Sequence, residues 1–143
     1  MIAVSEIHNS KELKKAHEIR YSVFTLGQNV PVEEDIDKFE KSSIHYLAYL
    51  DNSPVGTARW RYTENGIKLE RFAVLDAFRY RGIGSELVKK VLEDIKKEPE
   101  AKNKQIYLHA QVDAINLYKK FGFVKQGDMF DESGLLHFKM VKV

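Results

Sequence analysis

The chain of 143 residues contains no cysteine. Disulfide staples, thiolate metal sites and a covalent acyl-cysteine intermediate are therefore excluded together. Nor is there an apolar run near the roughly 20 residues that a membrane-spanning helix needs, and the start lacks a signal-peptide core. A cytoplasmic location without membrane association is the expectation. An excess of one charge is missing too: the formal net charge is +2, with basic and acidic residues interspersed. Nucleic-acid binding usually rests on a clustered basic face, so no nucleic-acid partner is expected. Repeats, low-complexity tracts and linkers are absent, which leaves one domain over residues 1–143. What is present, 43% hydrophobic and 31% charged residues, is the composition of a globular domain able to bury a core.

The hydrophobic pattern changes period along the chain. Residues 2–7 alternate loosely as a strand. Ser10 offers an N-cap for a helix carrying Leu13, Ala16, Ile19, Val23 and Phe24, and Gly27 suits its C-terminal end. An acidic run follows with Glu33, Glu34, Asp35, Asp37 and Glu40; it reads either as a solvated helix face or as an attractor for a cationic amine. Residues 44–50 and 55–62 form a hairpin across the Asp51-Asn52-Ser53 turn, and Asn65-Gly66 hands the chain to a further strand over 67–74. From Gly82 the period becomes helical, with Ile83, Leu87, Val88, Val91, Leu92 and Ile95 on one stripe. Pro99 follows that helix, and residues 105–111 form a strand parallel to 67–74 because a helix crosses between them. Asp113 can cap a short helix through Phe121, which Gly122 ends. Residues 123–125 and 136–141 complete the sheet. The reading is an α+β fold: a mixed, mostly antiparallel sheet of about six to seven strands with helices on both faces.

The sharpest motif is Arg79-x-x-Gly82-x-Gly84, placed between a strand and an amphipathic helix. Glycines let a backbone approach a bulky anion, a helix N-terminus presents unpaired N–H groups, and Arg79 and Arg81 add charge-assisted bonds. A dinucleotide fold would need three glycines directly after the strand, and a P-loop would need Gly-Lys-Ser/Thr. Neither spacing is met.

Arg79-x-x-Gly82-x-Gly84 resembles the pyrophosphate signature of the GNAT superfamily of acetyl-CoA-dependent N-acetyltransferases. The stretch Ala114-Ile-Asn-Leu-Tyr118-Lys-Lys-Phe121-Gly122-Phe123 resembles the same family's later helix. Residues 28–37, Leu108-His109-Ala110-Gln111 and Gly134-Leu-Leu-His137 extend the similarity to the ElaA/YjcF-like branch over nearly the whole chain. Gly27 stands where that branch has glutamate, and Leu136 where it has proline before the histidine; both departures bear on substrate preference.

The resemblance implies acetyl transfer from acetyl-CoA to a primary amine, borne by a small molecule or peptide, by direct attack in a ternary complex. A homodimer is compatible with it. Phe72, Ala73 and Val74 would line the pantetheine arm, beside a break in the sheet near Phe72 and Ala73. Arg79, Tyr80, Arg81, Gly82, Ile83, Gly84 and Ser85 would hold the pyrophosphate. Gln111 occupies the place of an asparagine facing the pantetheine, and Tyr118 would handle the thioester sulfur. A thiol near pKa 8.5 is more acidic than a phenol near 10, so full proton transfer from Tyr118 to a thiolate is uphill by about 2 kcal/mol. Hydrogen-bond stabilisation of the leaving sulfur is more economical.

The proton acceptor has two candidates. Deprotonating a lysine-like amine costs about 4.6 kcal/mol at pH 7, so a base is needed. Glu70 shares a strand face with Phe72 and Val74 by period two; its alternative is an ion pair with Arg59 or Arg61. His109 shares a face with Tyr107 and Gln111, and its alternative is a satisfied sheet histidine, as for His137. The two histidines have no third ligand at telling spacing, and no metal is expected. Trp60, Tyr62, His45 and Tyr46 either wall the acceptor side or belong to the core. With the base unassigned, a catalytically idle acyl-CoA-binding or regulatory module on the same scaffold is the competing reading.

Overall fold

The computed structural model describes residues 1–143. Strands β1 (Ile2–Glu6), β2 (Ile44–Leu50), β3 (Ser53–Thr63) and β4 (Gly66–Val74) form an antiparallel meander. The β2–β3 turn has both central residues left-handed, Asp51 at φ 47° and Asn52 at φ 73°. That conformation matches the twist of the flanking strands. Strands β5 (Ile106–Gln111), β6 (Phe123–Lys125), β7 (Phe130–Glu132) and β8 (Leu135–Lys142) complete an eight-stranded sheet in the order β1-β2-β3-β4-β5-β8-β6, with β7 pairing β8. The one strand beyond the expected seven is β7, three residues long.

Four α-helices accompany the sheet: α1 (Ser10–Arg20), α2 (Val32–Asp35), α3 (Ile83–Lys96) and α4 (Ile115–Lys119). No helix is long and apolar enough to cross a membrane. Ile83, Leu87, Val88, Val91 and Ile95 of α3 are buried with Tyr46, Ala58, Trp60, Ile67, Leu69, Leu108 and Ala110 on one face of the sheet. Ala16 and Ile19 of α1 pack with Phe24, Leu47 and Ala73 on the other. Covered on both sides, β3 is buried without alternation from Val55 to Trp60. Gly56 is required there by contact. A Cβ would meet Ile83 Cγ2 at 3.0 Å, Ala73 O at 3.2 Å and Leu87 Cδ1 at 3.2 Å. Trp60 and Tyr46 belong to the core, where Trp60 Nε1 donates to the Tyr46 hydroxyl at 3.1 Å and that hydroxyl to Asp94 at 3.0 Å.

Three local expectations are corrected. The cap of α1 is Asn9, whose side chain accepts from Glu12 N at 2.8 Å while donating to the Glu12 carboxylate at 3.0 Å; Ser10 is the first helical residue. Gly27 has φ −84° and caps nothing in left-handed form, because a π-helical segment over Tyr21–Leu26 carries the helix past it. The left-handed residue is Asn29, at φ 60°. Asp113 lies inside a 3₁₀ turn over Val112–Ala114 and makes no cap bond to α4; Gly122, at φ 86°, does follow that helix.

Two features of β4 shape the site. Its parallel pairing with β5 covers only Ile67↔Ile106, Lys68↔Tyr107 and Leu69↔Leu108. Beyond Leu69 the strands separate, so the break begins before the Phe72–Ala73 position expected. On the β3 side, Arg59 pairs with Glu70 and Thr57 with Ala73. Ala58 therefore faces two residues, Arg71 and Phe72, and Arg71 takes φ 59°. This is a β-bulge, which bends the strand and adds an uncounted residue.

Candidate active site

The anchor expected at Arg79–Ser85 is built as a turn that ends in a left-handed residue. Gly82, at φ 83°, precedes α3, and the first helical bond there runs from Glu86 N to Gly82 O at 3.1 Å. The N–H groups of Ile83, Gly84 and Ser85 precede that bond and face outward at the positive helix end. A Cβ on Gly82 would meet nothing within 4 Å, so glycine serves backbone conformation there rather than packing. The side chains around this cradle are free. Arg79 is 53% exposed, its nearest carboxylate Asp76 is 3.8 Å away and fully exposed, and Tyr80 is 98% exposed. Arg81 lies over the Phe78 ring at 5.5 Å. Lys120, the residue after α4, was not anticipated: its Nζ donates to Ser85 Oγ at 3.0 Å across 35 positions and adds a third cation.

The gap between the separated strands has two unlike sides. Phe72 and Val74 pack toward α3 and α4. Leu75 N donates to Val55 O at 2.9 Å, on the β3 side, and alternation turns the Val74 N–H to the other edge, into the gap. Tyr118 stands against Phe72 and Phe123, with ring centroids 5.9 and 6.1 Å away. Burial pushes its phenol above the ordinary range, favouring a hydrogen-bond donor over a proton donor.

On the opposite face, His109 is the first β5 residue past the last β4–β5 bridge. Its Nδ1 lies 3.0 Å from Glu132 Oε1 of β7, and its ring meets Phe130 edge-on at 5.0 Å. His137 stacks on Phe130 at 5.8 Å, gives Nδ1 to Leu135 O at 2.8 Å, and has Nε2 3.8 Å from Glu132 Oε2. Glu132 was not anticipated. Gln111 lies on this face also, where its amide donates to Gln28 at 3.0 Å.

Glu70 sits apart from Phe72 and Val74. The Arg71 bulge breaks period two, and Glu70 faces α1 while Phe72 and Val74 face α3. Its carboxylate accepts from Arg59 at 3.1 and 2.8 Å and from Arg61 at 2.6 Å, with Lys68 Nζ at 3.4 Å. Burial alone would raise its pKa; the charges of Arg59 and Lys68 and the Arg61 hydrogen bond outweigh it and hold the group below the usual value.

Glu70 joins a larger network that the acidic run supplies. Arg20 and Arg59, both fully buried, bind Asp35, Asp37 and Glu40. The 33–40 run is thus divided: Glu33 and Glu34 are the exposed face of α2, as the solvated reading expects, whereas Asp35 and Glu40 are buried. Burial works against ionising Glu40, yet the hydrogen bonds from Arg20 and His17 and the Arg20 charge lower it to about 2. Asp37 is likewise lowered to about 2, chiefly by Arg59 against its burial. Arg71 Nη2 reaches Asp37 Oδ2 and Glu34 O, both at 3.1 Å, and so ties the bulge to the α2 segment.

Sheet order, helix-end anchor and opened strand pair together have the form of a GNAT fold. The chain belongs to the acetyltransferase (GNAT) domain family, whose model matches residues 12–143. It is 38% identical over 135 residues to the N-acetyltransferase YjcF of Bacillus subtilis (strain 168), covering 94% of each chain. The crystal structure of Escherichia coli ElaA superposes with a TM-score of 0.86 at 27% identity over 100% of both chains. Arabidopsis thaliana Naa50, solved with the bisubstrate analogue CoA-Ac-MVNAL, gives a TM-score of 0.73 at 26% identity, covering 99% of this chain and 98% of that one. Family and relatives support acyltransferase activity.

Proposed function

We propose that the chain transfers an acetyl group from acetyl-CoA to a primary amine, on a small-molecule or peptide acceptor, by direct attack in a ternary complex. The observation that carries this is the opening of β4 from β5 beyond Leu69 and Leu108, with Tyr118 on one face of the gap and His109 on the other. The N-terminus of α3 and the side chains of Arg79, Arg81 and Lys120 suit a pyrophosphate. The thioester then lies along the edge of β4, where the Val74 N–H polarises its carbonyl.

The amine nitrogen attacks the carbonyl carbon from the His109 side. Its proton passes to the imidazole, directly or through water, as the C–N bond forms. The C–S bond then breaks, and the Tyr118 hydroxyl stabilises the departing sulfur by a hydrogen bond. Between the two base candidates the assignment goes to His109. Glu70, surrounded by cations, is a poor proton acceptor and serves the charge network.

Released thiol, followed while acetyl-CoA is mixed with a panel of amines, tests the reading. Turnover on at least one amine is expected. Tight acetyl-CoA binding without turnover on any amine would instead make the chain an idle acyl-CoA-binding module. Within an active enzyme, Tyr118→Phe is expected to lower kcat about 100-fold with acetyl-CoA affinity unchanged; undiminished kcat removes the hydroxyl from the mechanism.

A further inference from the structure

We infer that Glu132 is a positioning residue that fixes the tautomer of His109, and that the β7–β8 hairpin exists at this place to deliver it. The inference rests on the proposed role of His109 as the group that takes the amine proton, and extends it to a residue outside every motif of the chain.

The chemistry follows from what each atom is able to do. An ionised carboxylate only accepts hydrogen bonds. His109 Nδ1, 3.0 Å from Glu132 Oε1, must therefore carry the hydrogen. In the neutral imidazole that leaves the lone pair on Nε2, on a residue that stands just past the last β4–β5 bridge. Without the carboxylate both tautomers compete, and the fraction holding hydrogen on Nε2 has no lone pair there to offer the amine. Glu132 is kept ionised by its surroundings: the hydrogen bond from His109 lowers its pKa against partial burial, and the Lys68 charge acts in the same direction.

The hairpin places this carboxylate firmly. Ser133 and Gly134 form a two-residue turn with φ 54° and 78°, the geometry that suits the twist of paired strands. Asp131 Oδ1 accepts from Gly134 N at 3.1 Å within the turn. Ser133 Oγ donates to Glu34 Oε1 at 2.8 Å, latching the turn to α2. Phe130 touches His109 edge-on and His137 face-on, and so spaces the two imidazoles about the Glu132 side chain. Pairing of Phe130 with His137 and of Glu132 with Leu135 puts all these groups on the face that carries His109.

The test is the ¹⁵N shift pattern of the His109 ring in the full-length protein at a pH where the imidazole is neutral, without any substrate. The wild type is expected to show the Nδ1–H tautomer. Glu132→Ala should move it to a mixture or to Nε2–H, and Glu132→Gln, whose amide offers both an acceptor oxygen and a donor NH2, should restore Nδ1–H only in part. In turnover assays Glu132→Ala should lower kcat about 100-fold at unchanged KM for acetyl-CoA, with partial recovery in Glu132→Gln. An unchanged tautomer in Glu132→Ala overturns the inference. A changed tautomer with full turnover also overturns the positioning role. His109→Ala then separates the two layers: if it too keeps full turnover, the base assignment has failed, and if it alone is inactive, only the role of Glu132 has. The carboxylate is 43% exposed, so its replacement leaves the core intact; a thermal melt checks this.

Discussion

Two charged regions of this molecule are built on opposite rules. Around Gly82 the cations stand in water, Arg79 more than half exposed, and the nearby backbone N–H groups have no internal acceptor. Around Arg59 the reverse holds: the guanidinium is inaccessible and shared among Asp37, Glu40 and Glu70. A charge left unpaired is available to a ligand. A charge surrounded by counter-charges is committed to the chain. The first region keeps its charges open to solvent, while the second clamps α1 and the α2 segment onto β3 and β4.

The contrast breaks most visibly at Arg59. Arg59→Leu leaves Asp37, Glu40 and Glu70 without their shared cation, and loss of about 3–5 kcal/mol of stability is expected from chemical denaturation. A loss below 1 kcal/mol would show that the network is not the clamp described. Acid is the next lever. Asp37 and Glu40 are both depressed in the folded state to about 2, so their contribution is complete above the unfolded values near 4 and is lost as pH falls toward 2. The urea midpoint should fall over that window, and Glu40→Gln should flatten its slope. The smallest effect belongs to the anchor. Arg79→Ala should weaken acetyl-CoA binding about tenfold, more at low salt than at high, while stability changes by no more than about 0.5 kcal/mol. Undiminished affinity would remove Arg79 from the anchor; a large loss of stability would erase the distinction between the regions.

What was legible beforehand follows the same division. The Gly82 turn and α3 are local: a helix of 14 residues repeats its apolar stripe often enough to be read, and Gly82 sits at its start. The acidic run was legible as charge but not as burial. Its partners Arg20 and Arg59 lie 15 to 22 residues away, and only the tertiary fold brings them together. Glu132 was hidden for a related reason. Three residues of β7 are too short for a period, and its contact with His109 spans 23 positions. The face of Glu70 was misread because strand alternation assumes that every residue counts, and nothing in the Glu70-Arg71-Phe72 sequence marks a left-handed residue.

Arg71 is the one residue of β4 that the pairing with β3 does not count. Removing it alone would leave Glu70 facing α1 and Phe72 facing α3 as before, since the remaining residues already alternate. What would vanish is the bend. A straightened β4 could continue zipping along β5 past Leu69, with the same side chains on the same faces and no slot between the strands. The gap between the strands is thus written as chain length, one surplus residue in a ladder, rather than as the identity of any side chain that lines it.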